Sequence, residues 1–305
     1  MSSENGAKHH GFEVKPSVTV VIPTFAPNAC LMDLIADLSG EAEISRIIIS
    51  DDASRVTADP VLRSASELAC VDVIRHNKNA GIARGLNEGL AAAVDAGDPL
   101  LLTFDQDSRV SPGYVSSLIA ALDGQRSLWS ENASIGVIAP AVVCDASGEM
   151  KYPTRHDSGV LVTEEVIQSG ALWDVTALQK IGGFDESLGI DAVDAAACLR
   201  LREAGFLVAL AADVSLEHNL GDSRQVNILG RSVMVTNHSP ARRATMVRNR
   251  LRLAPAEFKQ SPKHAFRTLR RVTVNSTLGA ITGEDRWAKA KGSLSGLRGK
   301  KDKPN

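Results

Sequence analysis

LLLTFDQDS, residues 100–108, sets three leucines and a Thr-Phe pair directly before an Asp-x-Asp. An apolar run that stops at acidic residues reads as a buried strand, Leu100–Phe104, carrying a polar loop to one edge of a sheet. Towards the N-terminus the pattern recurs three times. A β-branched run, Val18–Ile22, ends in Pro23 and Thr24. ISRIIIS, Ile44–Ser50, ends in Asp51, Asp52, Ala53 and Ser54, and VDVIR, Val71–Arg75, leads into HNKNAG. Between these runs, Leu31–Leu38, Pro60–Leu68 and Ile82–Ala96 have helical spacing. Strands alternating with helices predict an α/β fold with an open, Rossmann-like sheet. Ligands of such sheets sit beyond the carboxyl ends of the strands. The loops Pro23-Thr24, Asp51-Asp52 and Asp105-Gln106-Asp107 all fall at those ends.

The second half has shorter apolar segments. Ile135–Val143 predicts a strand, Gly159–Val162 and Val166–Ile167 shorter ones, and Phe206–Leu210 another short one. Thr176–Ile181 predicts a helix after Ser169-Gly170, and Ala192–Ala204 a stronger one closed by Gly205. GGFDE, residues 182–186, is a turn. Met246–Leu253 and Ala265–Leu278 predict amphipathic helices with basic faces, and no internal repeat is visible.

Composition narrows the function classes. Of 305 residues, 44% are hydrophobic and 23% charged, which excludes a mainly disordered chain. Aromatic residues make up only 4%, so the core rests on Ala, Val, Leu and Ile. No window carries the roughly 18 apolar residues of a membrane-spanning helix, and Met1–Phe12 lacks the apolar core of a secretory signal. Cys30, Cys70, Cys144 and Cys198 show no CxxC spacing, which fits a reducing cytoplasm. Charge is divided unevenly. Residues 1–240 hold 17 Lys and Arg against 32 Asp and Glu, whereas residues 241–305 hold 17 against 4. A basic tail of this kind predicts contact with anionic lipid or an anionic lipid-linked substrate at the inner face of the cell membrane. The competing readings are a solvated basic helix with a frayed terminus, and helices that pack on the body of the protein or form a homo-oligomer contact. No nucleic-acid-binding motif sits there, so nucleic acid is not an expected partner.

Three places hold candidate chemistry. Asp105 and Asp107 project to one side of an ideal strand and repel unless a cation lies between them. A hard divalent cation shared with phosphate oxygens meets that need, although acidic pairs in loops are also common without one. Asp191 and Asp194 precede a helix, where carboxylates either cap and complement the dipole or, in an enzyme, accept a proton from an attacking hydroxyl. His218 is either a satisfied surface or core residue or a ligand.

Taken together, these segments resemble the family 2 inverting glycosyltransferases of GT-A fold. VTVVIPTF resembles their first strand with its Pro-Thr, and IIISDDAS their second strand and nucleotide loop. HNKNAGIARGLNEGL is similar to their Asn-x-Gly-x-Ala-x-x-x-Asn-x-Gly segment. FDQDS resembles their DxD site in the form typical of a rhamnosyltransferase branch. SGALWDVTALQKIGGFDESLGIDAVDAAACLR, LEHNLG and SPARRATMVRNR resemble later motifs of that branch, so the likeness spans about 18–250. The chain departs from the pattern at Asp52-Ala53, where Asn-Gly is commoner, at Gly189 for Phe and at Ala196 for an acidic residue, and it lacks the aromatic pair after Arg242-Arg243.

The resemblance implies a GT-A nucleotide-sugar-binding domain with a mixed central sheet, plus C-terminal basic helices. It implies a disordered segment at 1–15, a catalytic domain at 16–240 with its donor half at about 16–125 and acceptor half at about 126–240, and a basic helical segment at 241–305. A nucleotide-diphospho-sugar would be the donor, dTDP-rhamnose first, and a lipid-linked or polysaccharide acceptor of the cell envelope would receive the sugar. Mg²⁺ or Mn²⁺ would be held by Asp105, Asp107 and His218. Asp51 would face the base, with Pro23 and Thr24 beside the nucleoside and Asp52, Asn79, Gly81, Asn87, Asp105 and Gln106 completing the donor set. Ser169, Gly170 and Arg200 would lie on the acceptor side. Asp194 aligns with the catalytic base, with Asp191 the nearest alternative. The rivals are a UDP-dependent galactofuranosyl, galactosyl or N-acetylglucosaminyl transferase, and an inactive scaffold or glycan-binding module of the same fold.

Overall fold

The computed structural model describes residues 16–128, 134–145, 148–157, 159–218, 223–228, 231–236 and 239–282, together with Lys291 and Ser295. In chain order the first half runs β1 (Val18–Thr24), α1 (Ala29–Leu38), β2 (Ile44–Asp51), α2 (Asp59–Ser66), β3 (Val71–Arg75), α3 (Ile82–Ala96) and β4 (Leu100–Thr103). Next come β5 (Ser108–Arg109), α4 (Tyr114–Leu128), β6 (Ile135–Asp145), β7 (Gly148–Lys151), β8 (Arg155–Asp157), β9 (Val160–Val162) and β10 (Ala171–Asp174). The chain continues through α5 (Val175–Lys180), α6 (Val193–Glu203), β11 (Leu207–His218), β12 (Ser223–Ile228), β13 (Arg231–Thr236), α7 (Pro240–Gln260) and α8 (Pro262–Thr282).

The central sheet is mixed, in the order β3-β2-β1-β4-β10-β6-β11-β9-β8, with β5 paired to β11 and β7 to β6. β1 to β4 are parallel neighbours, and β10 runs antiparallel to both β4 and β6. Helices cover both faces. Val18, Val20 and Ile22 point into a core with Leu31, Leu34 and Ile35 of α1 and Leu118 of α4. Val21 points to the other face, against Leu86 and Leu90 of α3, Leu178 of α5 and Leu201 of α6. Because both faces are buried, the apolar run of β1 is continuous rather than alternating. GLNEGL lets α3 lie directly on that sheet. A Cβ on Gly89 would stand 2.3 Å from the Val21 Cβ, and one on Gly85 would stand 2.8 Å from Ser50 Oγ.

Three expectations need correction. Phe206–Leu210 is only the start of a twelve-residue strand, β11. Its apolar run stops at Ala212, but Val214, Leu216 and His218 stay buried while Asp213, Ser215 and Glu217 are exposed. The strand shifts register between Ala211 and Ser215 and changes from two buried faces to one. Val166–Ile167 forms no strand and lies in the loop before β10. The basic helices are each 21 residues long, extending well past Met246–Leu253 and Ala265–Leu278. They dock on the body: Ala244, Val247 and Asn249 of α7 and Ala265 of α8 are buried. No helix among the described residues is long and apolar enough to cross a membrane.

Candidate active site

The two-residue strand β5 follows the acidic loop immediately and pairs with the end of β11, placing Ser108 opposite His218. That pairing brings a residue 111 positions distant to the acidic pair. His218 Nε2 lies 3.2 Å from Asp105 Oδ2, and His218 Nδ1 lies 3.7 Å from Asp107 Oδ1. Ser108 Oγ is 3.1 Å from His218 Nδ1. Gln168 Nε2 donates to Asp105 Oδ1 at 2.6 Å, and the Asp105 backbone N–H donates to Ser169 Oγ at 3.1 Å. Burial holds the Asp107 carboxyl above the ordinary range, Asp105 pushes the same way, and His218 opposes both. Two crowded carboxylates and an imidazole, hard oxygen and nitrogen donors, fit a divalent cation. Among the described residues no three His, Cys, Asp or Glu side chains form a metal-binding group by themselves.

Asp194 stands in the first turn of α6, which begins after two successive left-handed residues, Asp191 (φ +68°) and Ala192 (φ +63°). Such backbone costs on the order of 1–3 kcal/mol per residue and needs a brace. Asn249 of α7 supplies it, its Nδ2 donating to the carbonyls of Leu188, Ile190 and Asp191 at 3.0, 3.0 and 2.9 Å. Burial pushes the Asp194 carboxyl up to about 6, with Glu165 and Asp105 adding to the effect and Arg250 opposing it. The helix dipole at this position favours the anion, and desolvation outweighs it. A carboxylate poised near neutrality in a cleft is suited to accepting a proton. Asp191 instead spends its carboxylate on Arg242, 3.2 Å away.

Two cavities meet at Asp194. The first, about 350 Å³, is lined by Asp105, Gln168 and His218 from the sheet side and by Arg242, Arg243 and Met246 of α7. The second, about 500 Å³, lies between the β7 region and α8. Asp194, Ile167, Arg250 and Arg271 line both.

The remaining expected donor residues shape the loops around this cleft. Pro23 and Thr24 close β1 and are buried. Asp51, expected to face a base, is fully buried; it accepts from Ser54 and lies 3.4 Å from Arg75 Nε. Its carboxylate holds the loop on which Ala53 takes φ +63°. Asp52 accepts from the N–H groups of Ala80 and Gly81 at 2.6 and 3.0 Å, tying that loop to the start of α3. Asn79 is exposed. Gln106 clasps the Phe25 backbone through both amide atoms, at 3.0 and 3.2 Å. Asn87 is committed to the turn after α5, exchanging hydrogen bonds with Phe184 and donating to Glu186.

The three residues expected on the acceptor side are hydrogen-bonded within the protein. Ser169 is fully buried under the acidic loop and hydrogen-bonded to Ser108 at 2.6 Å. Gly170 has φ +76° and donates its N–H to Thr103 O at 2.7 Å, and a Cβ there would stand 2.4 Å from the Tyr114 hydroxyl. Arg200 donates to the carbonyls of Ile181 and Gly183 at 3.0 and 2.5 Å. Sequence reading missed Gln168, Glu165 and Arg250. Glu165 pairs with Arg250 at 2.5 Å across 85 residues, and the only local sign was the carboxylate pair Glu164-Glu165 in an otherwise apolar stretch.

Comparison with known proteins fits this geometry. Residues 19–129 match the family model Glycosyl transferase family 2. The chain is 28% identical over 248 residues to the dTDP-rhamnosyl transferase RfbF of Shigella flexneri, covering 76% of this chain and 78% of that one. Among solved structures it is similar to S. aureus TarS 1-349 in complex with UDP-GlcNAc, with TM-score 0.61, 12% identity, and coverage of 92% of this chain and 79% of that one. It is also similar to GalNAc-T7 with UDP, GalNAc and Mn²⁺, with TM-score 0.57, 14% identity and coverage of 78% of this chain; the match spans 48% of GalNAc-T7. Mannosyltransferase PcManGT from Pyrobaculum calidifontis, in complex with GDP-Man and Mn²⁺, matches with TM-score 0.54 and 14% identity over 92% of this chain and 80% of that one. The fold is GT-A, residues 19–129 match the family 2 glycosyltransferase model, and the chain is similar in sequence to a rhamnosyltransferase.

Proposed function

We propose that this family 2 domain, with the helices that roof it, is an inverting glycosyltransferase moving rhamnose from dTDP-rhamnose to a hydroxyl of a lipid-linked or polysaccharide acceptor in cell-envelope glycan synthesis. The observation that carries the reading is Asp194. It is a half-buried carboxylate raised to about 6, lining one cavity with Asp105 and His218 and a second cavity without them. A binding module has no use for a desolvated carboxylate there, which argues against an inactive scaffold.

The donor's sugar would lie in the first cavity, with its diphosphate at the acidic loop. Asp105, Asp107 and His218 would hold a divalent cation, which when bound neutralises charge on the departing nucleotide diphosphate. Asp194 takes the proton of the acceptor hydroxyl as that oxygen attacks the anomeric carbon from the face opposite the nucleotide. The C–O bond to the nucleotide breaks with its electron pair, so the configuration inverts. Gln168 and Ser169 fix the acidic loop, and Asn249 fixes the start of α6, so both sides of the reaction are positioned before substrate arrives. Residues 16–125 form the donor half, and α7 and α8 join 126–240 in the acceptor half.

The choice of donor rests on the likeness to RfbF. Calorimetry with dTDP-rhamnose, UDP-galactose and UDP-N-acetylglucosamine, with and without Mn²⁺, tests it. Metal-dependent binding of dTDP-rhamnose is expected, and preference for a UDP-sugar would replace rhamnose by a UDP-dependent reading. A peripheral site at the inner face of the membrane is part of the same proposal. Phe258, Phe266 and Val274 are exposed on α7 and α8 among the basic residues, a pattern suited to the headgroup layer.

A further inference from the structure

The second cavity admits a ligand to Asp194 by a route that does not pass the acidic pair, since Asp105 and His218 line only the first. Its charge is one-sided. Lys151, Arg250, Arg267, Arg270 and Arg271 line it, against the carboxylates of Glu165 and Asp194, an excess of three positive charges. Met150, Val166, Ile167 and Val274 supply apolar wall. A neutral saccharide has no need of such an excess.

The excess is concentrated at the mouth. In the depth, Glu165 takes Arg250 at 2.5 Å and Arg271 at 2.9 Å. Burial works against its charge, but Arg250, His264 and Arg271 hold its carboxyl well below the usual range, so it stays ionised. Arg267 meets Glu164 at 3.6 Å and Lys151 meets Glu149 at 3.0 Å, both carboxylates lying outside the lining. Arg270 is exposed, and among the described residues it enters no ion pair. Arg267, Arg270, Arg271 and Val274 recur at three- and four-residue steps, so one face of α8 presents them together.

We propose that this cavity is the acceptor subsite, and that Arg270, with Arg267 and Arg271, holds a phosphate or diphosphate carried by the acceptor beside the sugar whose hydroxyl Asp194 deprotonates. The guanidinium groups present forked donors to phosphate oxygens, and the apolar wall receives the uncharged part of the same molecule. This inference rests on the glycosyltransferase reading above and names the chemistry of its acceptor.

The test uses the full chain, with inorganic pyrophosphate as ligand and calorimetry in the presence of chelator, so that a metal-dependent donor site is silent. Wild type should bind. Arg270→Glu should weaken binding about tenfold or more, as loss of a hydrogen bond to a charged group does, and Arg270→Lys, which keeps the charge but not the fork, should restore only part of it. Because Arg270 is exposed and absent from the first cavity, both variants should fold and should bind nucleotide-sugar with Mn²⁺ as wild type does. No pyrophosphate binding by wild type without metal, or equal binding by Arg270→Glu, overturns the proposal. Sedimentation with phosphatidylglycerol vesicles separates the two sources of phosphate. If Arg270→Glu loses vesicles but keeps pyrophosphate, the patch reads headgroups and the acceptor assignment falls. If no nucleotide-sugar binds in any condition, the glycosyltransferase reading itself fails, and the subsite falls with it.

Discussion

Asp194→Asn should make the protein more stable and nearly inactive. The carboxyl moves from an ordinary 3.8 to about 6 on folding. A shift of about 2 units corresponds to roughly 3 kcal/mol of differential interaction, an upper figure for a group open to two cavities. The sign follows from proton linkage: a carboxyl raised in the folded state is neutral in both states below about 4 and costs nothing there. Between about 4 and 6 the unfolded chain gives up this proton while the folded protein keeps it, so stability falls across that range, and above about 6 the folded protein carries the buried charge at full cost. Asparagine cannot ionise. The variant should therefore match wild type near pH 3.5, within the range where both fold, and exceed it by about 1–3 kcal/mol at pH 8. For a chain of this size that is a rise in Tm of roughly 2–5 °C. Transfer should fall about 10²–10⁴-fold while nucleotide-sugar binding persists. In wild type, kcat/KM should rise with pH through about 6 and then level. Differential scanning calorimetry between pH 4 and 8, with transfer assays on the same preparations, gives both readouts. A variant less stable than wild type at pH 8, or a stability gap that does not change with pH, would refute the desolvation argument. A transfer loss under about tenfold would move the base elsewhere, and the same assay on Asp191→Asn would show whether it is Asp191.

Three further outcomes are expected. Asp107→Asn should cut Mn²⁺-dependent nucleotide-sugar affinity and turnover, and calorimetry showing wild-type affinity unchanged by chelator would remove the cation from the donor site. Asn249→Leu deletes the donor shared by three carbonyls. It should cost about 1–3 kcal/mol and raise amide exchange at 188–192, so unaltered exchange there would deny Asn249 its bracing role. Gly89→Ala gains up to about 1 kcal/mol of helix propensity, but its Cβ would stand 2.3 Å from a fully buried Val21 in a central strand. Overpacking at about 1–3 kcal/mol should win, and urea unfolding that showed a more stable variant would contradict the close approach of α3.

Much of the N-terminal half of the fold was legible because its signals are local. β3 and α3 begin and end where the apolar pattern does, and β1, β2 and β4 differ from expectation by one or two residues. Parallel strands buried on both faces leave an uninterrupted apolar run, and each run stops where the chain leaves the sheet. The position of Asp105 and Asp107 was legible the same way, since a carboxylate pair at a strand end is a contrast visible within nine residues. Asp51, Gln106, Ser169 and Arg200 make hydrogen bonds within the protein, and whether a polar side chain faces a ligand or a neighbouring carbonyl depends on packing that no local window contains.

By itself, then, the sequence determined the α/β alternation and the place of the acidic pair at a strand end. Tertiary structure decided which of these groups meet. The two-residue β5 pairs with the far end of β11 and so delivers His218, and a bulge carries that strand beyond the point where its apolar run stops. Docking of α7 and α8 brings Asn249 to the start of α6, Arg250 to Glu165, and a row of arginines to the second cavity. It also desolvates Asp194, and that burial, set by atoms scattered from Asp105 to Arg250, turns an ordinary carboxylate into one poised near neutrality.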